Sequence, residues 1–175
     1  MPMDQIKRVP IDPYAQANTF LEAMTTGGVL CTVARHDGAQ NVLTLGWGQI
    51  GPFYHGRAIC SIAVTPLRYS FGFLREIPEF VLAVPDARSR AAAEVCGTVS
   101  GRDVDKWEAT GLTRVPALHV RPPAILEAQL NLECRVYATV PPPHDLLTPE
   151  HRRRPMEEQH TIYFAEVLAA HSWAT

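Results

Sequence analysis

The segment Gln129-Leu-Asn-Leu-Glu-Cys-Arg-Val-Tyr-Ala-Thr-Val140 carries the strongest structural signal in this 175-residue sequence. Its even-numbered residues, from Leu130 to Val140, are apolar or small, and they alternate with Asn131, Glu133 and other more polar residues. An alternation of period two over this length predicts a β-strand with one face buried and the other facing water or a ligand. The chain is therefore predicted to be rich in β-structure.

Further strands and short helices are predicted on both sides of this segment. The 15 prolines and 11 glycines divide the chain into many short elements. Asp37-Gly38 predicts a hairpin turn, and Asp86 and Asp103 are predicted to cap the last two helices. The predicted strands are 29–35, 41–49, 57–65, 80–84, 129–140 and 161–171, and the predicted helices are 14–24, 67–75, 87–95 and 104–110.

Antiparallel strands separated by short helices favour a closed or nearly closed barrel, although a sandwich decorated with helices fits the pattern equally well. The sequence shows no internal repeat and no linker, which predicts a single domain over residues 1–175.

Composition and charge argue against several classes of protein. A net charge of −2 gives no basic excess for a nucleic-acid partner. The N-terminus lacks the apolar run of a signal peptide, and no stretch has the length to span a bilayer, so we expect a cytoplasmic protein. The four cysteines form no CxxC pair and are expected to be buried thiols, and the seven histidines have no metal-ligand spacing, so no metal site is predicted.

The loop from Cys96 to Trp107 is the first candidate for chemistry. Its glycines allow backbone N–H groups to approach a ligand, while Ser100, Arg102 and Lys106 supply a hydroxyl and two cations. The loop also leads into a predicted helix N-terminus, which favours anions. This set of groups suits a phosphate, but a capped helix after a polar turn would show the same pattern.

Two other segments could contact a ligand. In Asn41-Val-Leu-Thr-Leu-Gly-Trp-Gly48, two glycines flank a tryptophan within a strand, as expected for a planar ligand lying against the backbone or for a simple bulge. In Ser61-Ile-Ala-Val-Thr-Pro-Leu-Arg-Tyr-Ser70, a strand enters a helix whose first turn carries Arg68. That arginine could pair with a phosphate or lie on the surface.

Taken together, five blocks of the sequence resemble the flavin reductase-like family of FMN-binding split β-barrels. This family includes flavoredoxin and the reductase components of two-component monooxygenases. The blocks are Asn41, Thr44 and Trp47; Ser61, Pro66, Arg68, Tyr69 and Ser70; Cys96 to Trp107; Asn131 to Val136; and His160 to Val167.

The resemblance implies a mainly β fold, a six-stranded Greek-key split barrel with short flanking helices, working as a homodimer with flavin near the interface. His160 would lie near the reactive face of the flavin and could act in catalysis. The implied ring-binding residues are Asn41, Thr44, Leu45, Gly46 and Trp47; the phosphate-binding residues are Ser61, Arg68, Ser70, Ser100, Arg102 and Lys106; and Cys96, Gly97 and Gly101 complete the set.

The implied activity is reduction of bound FMN, or of FAD, by NAD(P)H as a transient electron donor. Electrons would pass to free flavin, to a monooxygenase or to another redox partner. A flavoredoxin-like carrier, a non-enzymatic flavin-binding module and, less favoured by the Cys96 block, a barrel oxidase of the pyridoxamine-phosphate type are the alternatives. The loop Pro141 to Pro155, with its cationic run 151–154, has no counterpart in these blocks and is either solvated or a lid that attracts an anion.

Overall fold

The computed structural model describes residues 7–144 and 149–174, except for the side chains of residues 151 and 152. Its strands are β1 (Arg8–Pro10), β2 (Val29–Ala34), β3 (Gln40–Leu45), β4 (Gly48–Pro52), β5 (Ala58–Val64), β6 (Glu79–Pro85), β7 (Arg114–Val115), β8 (Ala124–Ile125), β9 (Ala128–Val140) and β10 (Thr161–Trp173). Its helices are α1 (Ala17–Thr26), α2 (Tyr69–Glu76), α3 (Arg90–Thr98), α4 (Lys106–Thr110) and α5 (Pro149–Arg152).

One antiparallel sheet forms the body of the molecule. Its strands follow the order β3-β2-β6-β9-β10-β5-β4, and β1 pairs with β10. The long strands β9 and β10 lie side by side at its centre, with register shifts in β10 between Phe164 and Ala165 and between Val167 and Ala169. The main core is formed by apolar side chains from both halves of the sheet and from α1 and α2, including Phe20, Phe73 and Leu132.

A second, smaller core lies under α3 and α4. Leu30 and Val42 contribute to it from the sheet, while Cys96 and Trp107 contribute from the helices. These apolar side chains hold α3 and α4 against β2 and β3. The segment that the sequence marked as a candidate phosphate loop is thereby fixed beside β3.

The mainly β fold class is confirmed, and all six predicted strands are present. The sheet is larger than six strands, because β1 is added and the predicted strand 41–49 is two strands, β3 and β4, separated at Gly46 and Trp47. Helix α3 begins at Arg90 rather than at 87, because the Asp86 carboxylate accepts hydrogen bonds from the backbone N–H groups of Arg88 and Ser89 in a preceding turn.

The prediction that the polar face of 129–140 meets water or a ligand is wrong for its first half. Asn131 and Glu133 are fully buried. Asn131 exchanges two hydrogen bonds with the backbone of Ile125, and Glu133 accepts hydrogen bonds from the N–H groups of Leu118 and His119. The segment 116–125 thus covers this face, so both faces of β9 are buried there.

The four cysteines are free and buried, as predicted. None of the described helices is both long and apolar enough to cross a membrane. In residues 7–144 and 149–174, no group of three or more histidine, cysteine or acidic side chains is placed to hold a metal ion.

Candidate functional site

A cavity of about 360 Å³ opens where β3, the end of β5, the start of α2 and the end of α3 meet. It contains fourteen of the fifteen site residues predicted from the sequence: Asn41, Thr44, Leu45, Gly46, Trp47, Arg68, Ser70, Cys96, Gly97, Ser100, Gly101, Arg102, Lys106 and His160. Residues far apart in sequence therefore line a single pocket.

Ser61 is the exception, since it does not line this cavity. Its neighbours Cys60 and Ile62 are buried in the main core. Alternation places Ser61 on the same face of β5 as Ala63, which does line the cavity. Its predicted role in binding a phosphate stays a prediction.

Three cationic side chains line the cavity: Arg68, Arg102 and Lys106. The ammonium of Lys106, only 4% exposed, donates to the carbonyl of Cys96 over 2.7 Å. Burial, and to a smaller degree the charge of Arg68, lowers the pKa of Lys106, against an opposing effect of Cys96. The guanidinium of Arg102 donates to the carbonyl of Leu67 over 3.2 Å and lies 5.3 Å from the ring centre of Tyr69.

No carboxylate compensates these charges, because no aspartate or glutamate among the described residues lines this cavity. The hydroxyls of Ser70 and Ser100 lie in the same lining. Cations and hydroxyl donors without a protein anion form a site for an anionic ligand, because a charge in a partly desolvated position needs a partner.

The predicted contribution of a helix N-terminus to this site is wrong. Helix α4 begins at Lys106, and it is capped by Asp105 rather than by Asp103. The Asp105 carboxylate accepts hydrogen bonds from the N–H groups of Trp107 and Glu108. The first N–H groups of this helix are therefore already occupied by a carboxylate.

The two glycines around Trp47 have different roles. A Cβ at Gly48 would lie 2.5 Å from the Met24 side chain and 3.2 Å from the carbonyl of Ser61, so Gly48 is required for packing of α1 on the sheet. A Cβ at Gly46 would meet nothing within 4 Å, and Gly46 lines the cavity. Only Gly46 fits the prediction that backbone is left open for a planar ligand.

Polar side chains brace the wall formed by β3. The hydroxyl of Thr44 donates to the carbonyl of Ala93 in α3. The amide of Asn41 donates to the hydroxyl of Ser70 over 2.8 Å, and Gly101 packs directly on Asn41, where no side chain would fit. These contacts fix the distance between β3 and the loop that carries the cations.

His160 and Trp47 lie together at the cavity, with ring centres 5.1 Å apart. Trp47 is 50% exposed, which is unusual for so large an apolar side chain. Burial, together with the positive charges of Arg154, Arg68 and His144, lowers the pKa of His160. The imidazole therefore stays neutral to a lower pH than an ordinary histidine.

Two other predictions concern Cys96 and the cationic run. Burial raises the pKa of the Cys96 thiol to about 11, so this thiol is not a reactive thiolate at neutral pH. In the run 151–154, Arg153 and Arg154 are exposed. The side chains of residues 151 and 152, and residues 145–148 of the same loop, lie outside the described residues.

Sequence reasoning missed eight lining residues. Tyr69, Thr98 and Val99 lie inside the two quoted blocks, so their position in those blocks was the available signal. The other five lie inside the quoted segments 41–48 and 61–70, but their residue types did not distinguish them from core residues. The missed residues are Leu43, Ala63, Val64, Thr65, Leu67, Tyr69, Thr98 and Val99.

Part of this chain is similar in sequence to an archaeal protein. An uncharacterized protein of Archaeoglobus fulgidus is 36% identical over 100 residues, which are 57% of this chain and 55% of that protein. The chain thus spans less than two thirds of the length of this relative.

Two crystal structures share the fold. Flavoredoxin from Methanosarcina acetivorans is 25% identical, with a TM-score of 0.64 over 83% of this chain and 68% of that chain. An FMN-binding domain of a flavin reductase-like enzyme from Shewanella baltica is 15% identical, with a TM-score of 0.66 over 95% and 78%. These similarities confirm the split-barrel fold.

The sequence profile of the family described as flavin reductase like domain matches residues 21–173, which include every residue lining the cavity. The chain therefore belongs to the flavin reductase-like family, and this membership supports a flavin-binding redox role.

Proposed function

We propose that this protein is an NAD(P)H-dependent flavin oxidoreductase that holds FMN in the cavity between β3 and the Cys96–Lys106 segment. The observation that carries the proposal is the lining of this cavity. Three cations without a carboxylate are combined there with the open backbone of Gly46 and the half-exposed ring of Trp47.

The residues present fit the chemical groups of FMN. Arg68, Arg102 and Lys106, with the hydroxyl of Ser100, supply the charge and donors that a phosphate requires. Gly46 leaves backbone accessible to a flat ring edge, and Trp47 offers an apolar surface. The volume of about 360 Å³ lies in the range of about 300–1,000 Å³ typical of small-molecule sites.

A bound flavin supplies the redox chemistry, since it takes two electrons from a donor and gives them up singly or in pairs. The protein's own residues bind and orient. The cations hold the phosphate, the Thr44–Ala93 and Asn41–Ser70 hydrogen bonds keep the walls at a fixed separation, and the high pKa of Cys96 keeps its thiol protonated. No side chain is required as a nucleophile.

His160 is the residue proposed to meet the electron donor. Its ring contacts Trp47 at the cavity, and its lowered pKa keeps it neutral near pH 7. A neutral imidazole can donate or accept a hydrogen bond, so it can orient a neutral nicotinamide amide without adding charge.

We also propose that a second copy of the chain covers an exposed aromatic patch formed by Phe53, Tyr54 and Tyr137. Tyr54 is 73% exposed and Tyr137 63%, and both rings lie about 5 Å from that of Phe53. Exposed aromatic clusters of this kind are typical of interfaces. Analytical ultracentrifugation should show a dimer that Tyr137→Glu weakens, and a monomeric wild-type protein would contradict this proposal.

The function is tested first by binding. FMN and riboflavin are titrated separately into the apoprotein, and the dissociation constants are obtained from flavin fluorescence. Arg68→Gln should raise the dissociation constant of FMN about tenfold but leave that of riboflavin unchanged, because riboflavin has no phosphate. Arg75→Gln, in helix α2, which follows Arg68, but outside the cavity, is the matched control. Failure of the wild type to bind FMN would overturn the proposal.

Electron transfer is tested by anaerobic titration of the FMN-loaded protein with NADH and NADPH, followed by the visible spectrum. Bleaching within seconds supports a reductase. Flavin that stays oxidised with both donors but is reduced by a reduced redox protein would indicate a carrier, the alternative favoured by the structural similarity to flavoredoxin. Flavin that binds without reduction by any donor would indicate a non-enzymatic module.

A further inference from the structure

A second cavity, of about 240 Å³, adjoins the flavin cavity. The two share five lining residues: Asn41, Tyr69, Gly101, Arg102 and Lys106. The second cavity is otherwise lined by Ala39, Gln40, Phe73, Asp103, Val104 and Asp105. A molecule that fills the first cavity could therefore continue into the second by passing Arg102.

Charge is distributed unevenly around this second cavity. Its shared wall carries the cations Arg102 and Lys106, while its own wall carries the carboxylates of Asp103 and Asp105. The Asp105 carboxylate already caps α4 and lies 3.8 Å from Arg114. The Asp103 carboxylate makes no hydrogen bond or ion pair with the described residues.

Val104 adds an apolar surface beside these carboxylates. It is 38% exposed, and its side chain lines the cavity and belongs to neither of the two apolar cores. The lining thus combines cations that are shared with the first cavity, two carboxylate acceptors and an apolar surface.

We infer that the second cavity is a subsite for the adenosine half of a dinucleotide whose diphosphate crosses the junction at Arg102. This inference rests on the proposed flavin site. Phosphates would lie between Arg102 and Lys106, the ribose hydroxyls would donate to Asp103, and the purine would pack on Val104. Carboxylates accept ribose hydroxyls in other dinucleotide sites, and they repel a 2′-phosphate.

Two molecules could supply this adenosine: FAD, as the bound flavin, or the nicotinamide dinucleotide that donates electrons to bound FMN. The test uses Val104→Trp, which fills the second cavity without touching the first, and Leu118→Trp, which adds the same ring at an exposed site that lines neither cavity. Dissociation constants are measured for FMN and FAD on apoprotein, and for ADP-ribose on the FMN-loaded protein.

If the flavin supplies the adenosine, Val104→Trp should raise the dissociation constant of FAD about tenfold and change that of FMN by less than about twofold. Leu118→Trp should change neither constant. If the electron donor supplies the adenosine, Val104→Trp should weaken the binding of ADP-ribose to the FMN-loaded protein. The ratio of the FAD and FMN dissociation constants of the apoprotein should then stay the same. Asp103→Asn should weaken the same ligand, and ADP-ribose 2′-phosphate should bind more weakly than ADP-ribose wherever ADP-ribose binds.

Tight FMN binding with no effect of Val104→Trp on FAD or on ADP-ribose would overturn the inference and leave the proposed function intact. Loss of FMN binding by the wild type would instead overturn the proposed function, and the inference with it.

Discussion

Two polar clusters in this molecule use charge in opposite ways. Around the cavity between β3 and the Cys96–Lys106 segment, Arg68, Arg102 and Lys106 line an opening with no carboxylate in the described lining. Next to segment 116–125, the fully buried carboxylate of Glu133 accepts hydrogen bonds from two backbone N–H groups and from Nε2 of His171. The cations of the first cluster have no carboxylate partner in the described lining, so a ligand can supply one, whereas the carboxylate of Glu133 has its partners within the chain. Nδ1 of His171 is the one atom of this second cluster that is buried without a partner in the described part of the chain.

The pKa directions express this difference. Burial alone would raise the pKa of Glu133, but the hydrogen bonds from His171, Leu118 and His119 outweigh it and hold the pKa below its usual value. The pKa of Lys106 is lowered mainly by burial, so its charged form is disfavoured in the folded protein. The charge of Glu133 therefore stabilises the fold through its hydrogen-bond donors, whereas the charge of Lys106 is destabilised by burial.

The largest effect is expected from removing the buried carboxylate. Glu133→Ala should lower the free energy of unfolding by about 3–5 kcal/mol, because it leaves the buried His171 and the N–H groups of Leu118 and His119 without their acceptor. Urea denaturation measures the change. Glu166→Ala, which breaks an ion pair with the exposed Arg57, is the control and should cost less than about 1 kcal/mol. Similar losses in both variants would contradict the assignment of Glu133 to stability.

Acid should remove part of the same stabilisation. Because folding lowers the pKa of Glu133, its contribution is present above the ordinary value of 4.5 and is lost as pH falls below it. The difference in unfolding free energy between wild type and Glu133→Gln should therefore narrow from pH 6 towards pH 3. A constant difference across that range would show that the carboxylate charge is not responsible.

A smaller effect on stability is expected in the flavin cavity. Lys106→Met should change the free energy of unfolding of the apoprotein by less than about 1 kcal/mol, since losing the bond to Cys96 is offset by removing a buried charge. The same variant should weaken FMN at least about tenfold. Titration and urea denaturation of one preparation measure both. A large loss of stability with unchanged FMN binding would show that Lys106, like Glu133, acts in stability and not in ligand binding.

The smallest expected effect concerns the imidazole of His160. Arg154→Ser removes one of the positive charges that lower the pKa of His160, so the pKa measured by NMR titration should rise. Arg153→Ser is the matched control, because that neighbouring charge does not contribute to the shift. Equal pKa values in wild type and Arg154→Ser would place Arg154 away from the cavity.

Much of the fold could be predicted from local patterns. Period-two alternation predicts the strands, and all the predicted site residues except Ser61 line the cavity, although eight further lining residues were missed. Ser61 lies between Cys60 and Ile62, so alternation places it on the face of β5 opposite the core, together with the lining residue Ala63. Neither alternation nor the family pattern predicts that Ser61 itself stays outside the lining. The break between β3 and β4 was not predictable, since the same two glycines would also fit a bulge within one strand.

The buried Glu133–His171 pair could not be predicted from local pattern. The two residues are 38 positions apart, and their contact depends on the register of β9 against β10. Alternation places Glu133 on the exposed face, and only segment 116–125, which returns over that face, buries it. Such coverage is a tertiary property without a local sequence signal.

Strand β10 connects these two clusters in a way that constrains how the sequence can evolve. It begins directly after His160, which lines the cavity, and includes His171 near its end, so one 13-residue strand connects the two sites. An insertion or deletion of a single residue between them would turn one of the two histidines to the opposite face of the sheet unless a register shift, such as the two that β10 already contains, compensates it. Length variation among homologues should therefore be rarer in this interval than in connections such as 53–57.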